Sequence, residues 1–445
     1  MKNFKKSHLA AALALGLAAG GVQAANVTAE GIGELIYIPY YSTIGNQETN
    51  FRLVNTSEQT VTLKVMFREG RSSLEVLDFN VTMSPHDVWS GSIQGVGATN
   101  ARITTSDTTC TSPDKNKWVR NSNGSYSADF RIRGGISGNP NEGYVVVRVL
   151  GVSDISTNTV NSVPYLAKHV NGTPRDCGAI DWGYANAFDS IKGQFIEPMN
   201  VLAASASLVD AANGLATSIP VTVLANVNNP DASGIDGLGN YGVNIITTAD
   251  TETLETEADD FAVVFEGDTG IASSDSFATG SGHEDITAAL MQDTVINSFD
   301  VTNSSWVVTF PTKRAHGTGA VAPFSAPYPQ SGLVEISPSY TDDEEFAFSA
   351  ETQFSPAESI PTINLPNEVN VLTFNGNNLL GSSLTTNLPI DNRVTKGWLN
   401  LAFTNDRALS GSTITLDGLP AIGFNYTEGS NASISTAHSY TKSVR

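Results

Sequence analysis

Cations are scarce in this chain of 445 residues, with 24 Lys and Arg against 45 Asp and Glu. Lys2, Lys5 and Lys6 fall within the first 24 residues, which hold no acid, so the remainder has 21 basic and 45 acidic side chains, a net −24. Nucleic-acid binding needs clustered Lys and Arg whose phosphate contacts release counterions, and no such cluster occurs. The same charge repels an anionic membrane surface. Long apolar runs are missing too: beyond residue 24 no stretch of about 18 apolar residues appears, so no membrane-spanning helix is expected. Histidine is sparse after residue 24, at His86, His169, His283, His316 and His438, with no i, i+2 or i, i+4 pair, so a zinc site would have to be assembled by the fold. Neither a G-x-S-x-G elbow nor an H-E-x-x-H pair is present.

Only two cysteines occur, Cys110 and Cys177. Neither sits in a C-x-x-C pair, and an oxidising compartment would join them as a structural disulfide. The N-terminus points to such a compartment. Lys2, Lys5 and Lys6 form a positive region, residues 9–17 an apolar one, and Val22-Gln23-Ala24 a small-x-small cleavage site. This is the pattern of a secretory signal peptide cut between Ala24 and Ala25. No Cys follows the cut to accept a lipid. The expected product is exported, to the periplasm, the cell surface or the medium.

Most of the remaining text alternates with a period of two. Phe51 and Leu53 are followed by turn chemistry at Asn55-Thr56-Ser57-Glu58-Gln59, then by Val61, Leu63, Val65 and Phe67 alternating with Thr62, Lys64, Met66 and Arg68. The period predicts a hairpin with one face in a core and the other wet. Leu77, Phe79, Val81 and Met83 repeat the pattern, and residues 144–149 read as a buried strand. Pro39, within the aromatic run 36–41, predicts an edge or a bend. Strands at ten-residue spacing without intervening helices predict antiparallel β-sandwich domains in a mainly β chain.

Other stretches break this rhythm. Residues 106–141 are rich in Ser, Asn, Gly and Asp and predict a long loop or hairpin. Leu202, Ala206 and Val209 share one helical face, so the one helical segment is expected near 198–213, ending at Asn213-Gly214. Residues 248–300 concentrate the acids, and β patterning returns at 306–310, 369–374, 399–403 and 413–416. The expected organisation is a signal peptide at 1–24, an N-terminal β-sandwich domain at 25–165, a mixed segment at 166–300 and a C-terminal β domain at 301–445. No fixed-period repeat is visible, which disfavours propellers and solenoids.

Local clusters of chemistry are few. His86 and Asp87 lie beside Trp89, but adjacent strand residues face opposite ways, and a turn in which Asp87 caps a backbone amide and Trp89 is buried fits the residues better. Glu266, Asp268, Glu284 and Asp285 read as a solvated acidic face. Asn229, Asp231, Ser233 and Asp236 make an oxygen-rich loop resembling the first half of a calcium loop, whose twelfth position is Asn240 rather than Glu, so a plain Asn/Gly/Asp turn competes with a calcium site. Tyr37, Tyr40 and Tyr41 are expected in a core or interface rather than as a sugar platform.

Three segments carry a resemblance: Phe67-Arg68-Glu69-Gly70 with Leu77-Asp78-Phe79-Asn80 and Ser84-Pro85-His86-Asp87-Val88-Trp89; WVVTFPTKR over 306–314; and GLPAIGF over 418–424. Together they resemble a group of exported proteobacterial proteins without established activity, which implies a surface or extracellular protein and supplies no catalytic residues. The order of strand, Asn-Thr-Ser turn, strand and Pro-x-Asp-x-Trp is more distantly similar to immunoglobulin-like sandwiches of bacterial surface proteins, a likeness of fold alone.

The expected function is therefore a non-catalytic structural or adhesive component of the bacterial cell surface, whose partners are other surface proteins, further copies of itself or polysaccharide. A carbohydrate- or ligand-binding module, with calcium as its one candidate cofactor, is the second reading. A secreted hydrolase with an unrecognised site is the third.

Overall fold

In the computed structural model, residues 26–131, 139–187, 190–191, 193–196, 198–227, 284–314, 323–324, 334–345, 347–349, 360–403, 409–410, 415–429, 435–439 and 441–442 are described. Residues 1–24, expected above to be a signal peptide, lie outside them. The fold is mainly β, built from antiparallel sheets with few helices, as the alternation predicts.

Four sheets carry the architecture. Sheet I runs in the order Asn26–Val27, Thr222–Ala225, Leu35–Ser42, Glu142–Ser153, Thr60–Glu69, Glu75–Met83 and Cys110–Ser112. Sheet II runs Leu215–Ile219, Leu202–Asp210, Gln47–Asn55, Val88–Val96, Asn100–Thr105, Tyr126–Asp129 and Val119–Arg120. Strands of 202–225 thus complete both sheets begun by 26–153. Sheet III orders Thr385–Leu388, Val369–Phe374, Ser304–Thr309, Ile422–Glu428 and Ser435–Ser439, its first pair parallel. Sheet IV orders Ala347–Ser349, Val334–Asp342, Lys396–Ala402, Thr294–Asp300 and Thr441–Lys442, with Ile363–Leu365 also on Val334–Asp342.

Side-chain contacts stack these sheets in the sequence II, I, III, IV. Phe51 of sheet II meets Phe67 of sheet I at 6.0 Å between ring centroids, and Trp89 of sheet II meets Phe79 of sheet I at 5.6 Å. On the other side of sheet I, Tyr40 meets Phe424 of sheet III at 6.4 Å. Successive residues of the Ser304–Thr309 strand then divide between two cores. Val307 joins the core shared with sheets I and II, while Trp306 and Val308 join the one shared with sheet IV. Phe374 of sheet III and Phe299 of sheet IV lie 5.3 Å apart.

The stacking corrects one expectation. Thr60–Glu69 has no wet face, being buried throughout. Its polar residues are covered and paired: Thr62 meets the Tyr184 hydroxyl at 3.1 Å, Lys64 pairs with Asp78 at 3.4 Å, and Arg68 pairs with Glu75 at 3.2 Å. Period-two alternation marks which residues share a face but not whether another layer covers it.

The helix expected near 198–213 is a second correction, because Leu202–Asp210 is a strand. Leu202, Ala206 and Leu208 lie in the core with Ala204 packed against it, and Ser205 and Ser207 point out, so the period is two. Alanine content favoured a helix, and pairing with strands on both sides overrode that propensity. Helices among the described residues of this region include Val163–Ala167 and Cys177–Asn186. Pro39 also departs from expectation, for its strand is interior to sheet I. Its neighbour Thr222–Ala225 pairs only as far as Tyr37, and the register against Glu142–Ser153 shifts beside it. The missing amide therefore falls where the ladder is already interrupted. Of the expected loop or hairpin at 106–141, the described residues contain the strand Cys110–Ser112 and a hairpin of Val119–Arg120 with Tyr126–Asp129.

Candidate functional site

Cys110 and Cys177 form the expected disulfide, with Cα atoms 5.0 Å apart. It fastens helix Cys177–Asn186, capped by Asp176 accepting from the Ala179 amide at 2.9 Å, to the last strand of sheet I. Beside it the fold assembles a polar cluster. Asp87 accepts from the Val88 amide at 2.9 Å, the Ser84 amide at 3.2 Å and the Thr109 hydroxyl at 3.2 Å. This is the turn expected of 85–87, with His86 in the left-handed region at φ 57° and Trp89 fully buried. His86 itself is exposed and pairs with Glu58 at 3.0 Å.

His169, distant in sequence, completes the cluster. Its Nδ1 lies 3.2 Å from Ser84 Oγ and 3.6 Å from Asp87 Oδ2, and its Nε2 lies 3.3 Å from Thr108 Oγ1. Burial pushes the Asp87 carboxyl above its ordinary range, and the neighbouring His169 opposes that rise. Lys115 is buried nearby with its ammonium on the Thr109 carbonyl. Burial lowers its pKa to about 8 against the attraction of Asp107, Asp114 and Asp87. A cleft of about 520 Å³, lined in part by Glu58, Ser84, Asp154, Lys168 and His169, opens beside the cluster.

The ring geometry decides what this cluster does. A serine nucleophile requires the imidazole nitrogen opposite the one its carboxylate orients. Here Ser84 and Asp87 share Nδ1, while Nε2 faces Thr108, whose hydroxyl donates to the Gly172 carbonyl at 3.1 Å. The arrangement ties three chain segments together and does not form a proton relay through Ser84.

A second polar assembly lies where sheets I and III meet. Arg68 donates to the Ser73 carbonyl at 2.9 Å, and Glu69 accepts from the amides of Arg71 and Ser72, each at 2.7 Å. From the other side Arg314 donates to the Ser72 carbonyl at 2.8 Å, and the buried Lys313 donates to the Pro366 carbonyl at 3.1 Å. Glu368 is fully buried among them. Burial raises its carboxyl to about 8, opposed by Lys313 and Arg314, and burial lowers the Lys313 amine.

Parts of the three segments that carry the resemblance meet at this seam or beside it. Gly70 gives its carbonyl to the Val369 amide at 2.8 Å, and a Cβ there would lie 2.5 Å from the Leu384 side chain. Strands Ser304–Thr309 and Ile422–Glu428 pair with each other, Val307 opposite Phe424. Gly418, at φ +93°, leaves no room for a Cβ, which would stand 2.1 Å from the Gln292 carbonyl oxygen.

The other expected site residues are placed as follows. Asn229, Asp231, Ser233 and Asp236 lie outside the described residues, as do Glu266 and Asp268. Glu284 and Asp285 open the helix Glu284–Leu290. Tyr37, Tyr40 and Tyr41 are all fully buried, as a core role requires. Among the described residues no group of three His, Cys, Asp or Glu side chains is placed to hold a metal ion, and no helix is long and apolar enough to cross a membrane. Sequence reading missed the partnership of Asp87 with His169 and the charged seam, because neither has a signal shorter than the distance along the chain between its partners. Comparison with protein-family models, curated proteins and solved structures finds no match to this chain.

Proposed function

We propose that this protein is an exported structural or adhesive component of the bacterial cell surface, with no catalytic centre of its own. The observation that carries the reading is the seam between sheets I and III. Buried charges and aromatic contacts there join the N- and C-terminal sheets into one continuous stack, which suits a rigid scaffold better than a cleft that opens and closes around substrate. The Cys110–Cys177 disulfide supports residence in an oxidising compartment. Immunolabelling of intact cells tests the proposal, surface label being the expected result. Fractionation that finds the protein only in the cytoplasm or inner membrane would end it. Electron microscopy of labelled cells then distinguishes filaments from a coat.

A polysaccharide-binding role is the second reading, favoured by a hydroxyl-lined cleft on the outer face of sheet II. Calcium at Asn229, Asp231, Ser233 and Asp236 belongs to that reading, and glycan arrays with and without Ca²⁺ test it.

A further inference from the structure

The outer face of sheet II holds a cleft of about 570 Å³ whose floor is set by strand register. Ser218 pairs with Ser207, Ser207 with Asn50, Asn50 with Ser92, and Ser92 with Thr104. Five small polar side chains thus stand in one row across five strands, running about 19 Å at the usual strand spacing of about 4.8 Å. That spacing is close to the length one hexopyranose adds to an extended glycan. The next row along the strands places Arg52 between Ser205 and Ser90. Arg52 is exposed, and its side chain has neither a hydrogen bond nor an ion pair among the described residues.

From this juxtaposition we propose that the outer face of sheet II binds a neutral polysaccharide chain lying across the strands, its ring hydroxyls meeting Ser218, Ser207, Asn50, Ser92 and Arg52. The proposal deepens the polysaccharide reading by naming the face and the class of glycan. Ser, Thr and Asn both donate and accept, as sugar hydroxyls do, and Arg52 adds donors. Carboxylates border the cleft, Glu48 accepting from Ser92 Oγ at 3.3 Å and Asp107 from Ser90 Oγ at 3.4 Å. They accept from hydroxyls but repel a polyanion, as does the net −24 of the chain beyond residue 24. A second copy of the chain fits less well, because the cleft floor lacks the apolar centre of a stable protein interface. Each contact is weak and the row repeats, so a polymer binds better than its short oligosaccharides.

Affinity electrophoresis of the whole protein in native gels cast with dextran, mixed-linkage β-glucan, galactomannan or alginate tests this directly. The expected result is retardation by at least one neutral polymer and none by alginate. Asn50→Ala and Arg52→Ala should each raise the apparent Kd tenfold or more, with Ser218→Arg at the exposed rim as a further variant should either fail to fold. Trp398→Ala, at an exposed indole on sheet IV, should change nothing. Lack of retardation by every neutral polymer, preference for alginate, or retardation untouched by the sheet II substitutions would overturn the proposal. So would a dimer that those substitutions dissociate. Binding in a gel does not depend on where the protein resides, so this test and the labelling experiment fail separately.

Discussion

The Glu142 carboxylate bridges the N-terminal and C-terminal sheets, for Ser383 donates to its Oε2 with both backbone amide and hydroxyl, at 2.9 and 2.8 Å. The Tyr40 hydroxyl donates to Oε1 at 2.8 Å, and Glu142 and Tyr40 are both buried while Ser383 lies at the surface. Glu142→Ala leaves three donors without an acceptor and should cost about 3 kcal/mol, whereas Glu142→Gln, which keeps a carbonyl oxygen, should cost about half that. Urea unfolding reads both values. Equal midpoints for the native protein and the alanine variant would show that the bridge contributes nothing.

Stability should fall as pH rises through neutrality because of Glu368. An unfolded Glu gives up its proton near 4.5, whereas the buried Glu368 holds its proton up to about 8. Between those values the folded chain binds the extra proton, so its contribution is complete below about 4.5 and is lost by about 8, a change of roughly a few kcal/mol. The lowered Lys313 amine has the opposite slope, confined to the range below 10.5 in which the unfolded chain alone is protonated. Unfolding free energies measured from pH 5 to 8.5 should decline more steeply in the native protein than in Glu368→Gln. A decline of equal size in the variant would assign the slope elsewhere.

Opening the disulfide should act locally before it acts globally. Residues 110 and 177 are 67 apart, and in the chain-entropy model freeing such a loop costs about 4 kcal/mol. Hydrogen exchange on the Cys110→Ser, Cys177→Ser double variant should quicken first in helix Cys177–Asn186, which the bridge fastens to the edge of sheet I. Uniform quickening of all sheets would contradict this order.

Asp87 should matter more than His169. Its carboxylate serves two amides and the Thr109 hydroxyl, so Asp87→Ala leaves several donors unmet at about 2–3 kcal/mol, while His169→Ala should cost about 1 kcal/mol. Thermal melts of the two variants give the comparison. A reversed order would make the imidazole, not the carboxylate, the organising group.

Much of the β architecture was legible from the chain, because period two is a local property. The runs at 61–67, 144–149, 306–310 and 369–374 all fall within strands or at their ends. The Asn55 turn was legible for the same reason, and its side chain does bridge to the Gln59 and Ser84 carbonyls, at 2.7 and 2.9 Å. The two cysteines left a single pairing. What stayed hidden depends on layers meeting. Lys64 and Arg68 read as solvent-facing because nothing near them in sequence names Asp78 or Glu75 as buried partners. Leu202, Ala206 and Val209 fitted a helical stripe because three apolar residues cannot distinguish a period of 3.6 from one of two when alanines fill the gaps. The row across sheet II was equally invisible, since its five members come from five separate strands.

Strand Thr222–Ala225 lies between Asn26–Val27 and Leu35–Ser42, so sheet I cannot close until residue 225 is available, and sheet IV waits likewise for 441–442 to reach 294–300. Contact order is correspondingly high, and collapse to the native state should be slow. For the export proposed above, a chain delivered N-terminus first would stay an unfinished, threadable polymer until these late strands emerged, so the topology would postpone assembly to the far side.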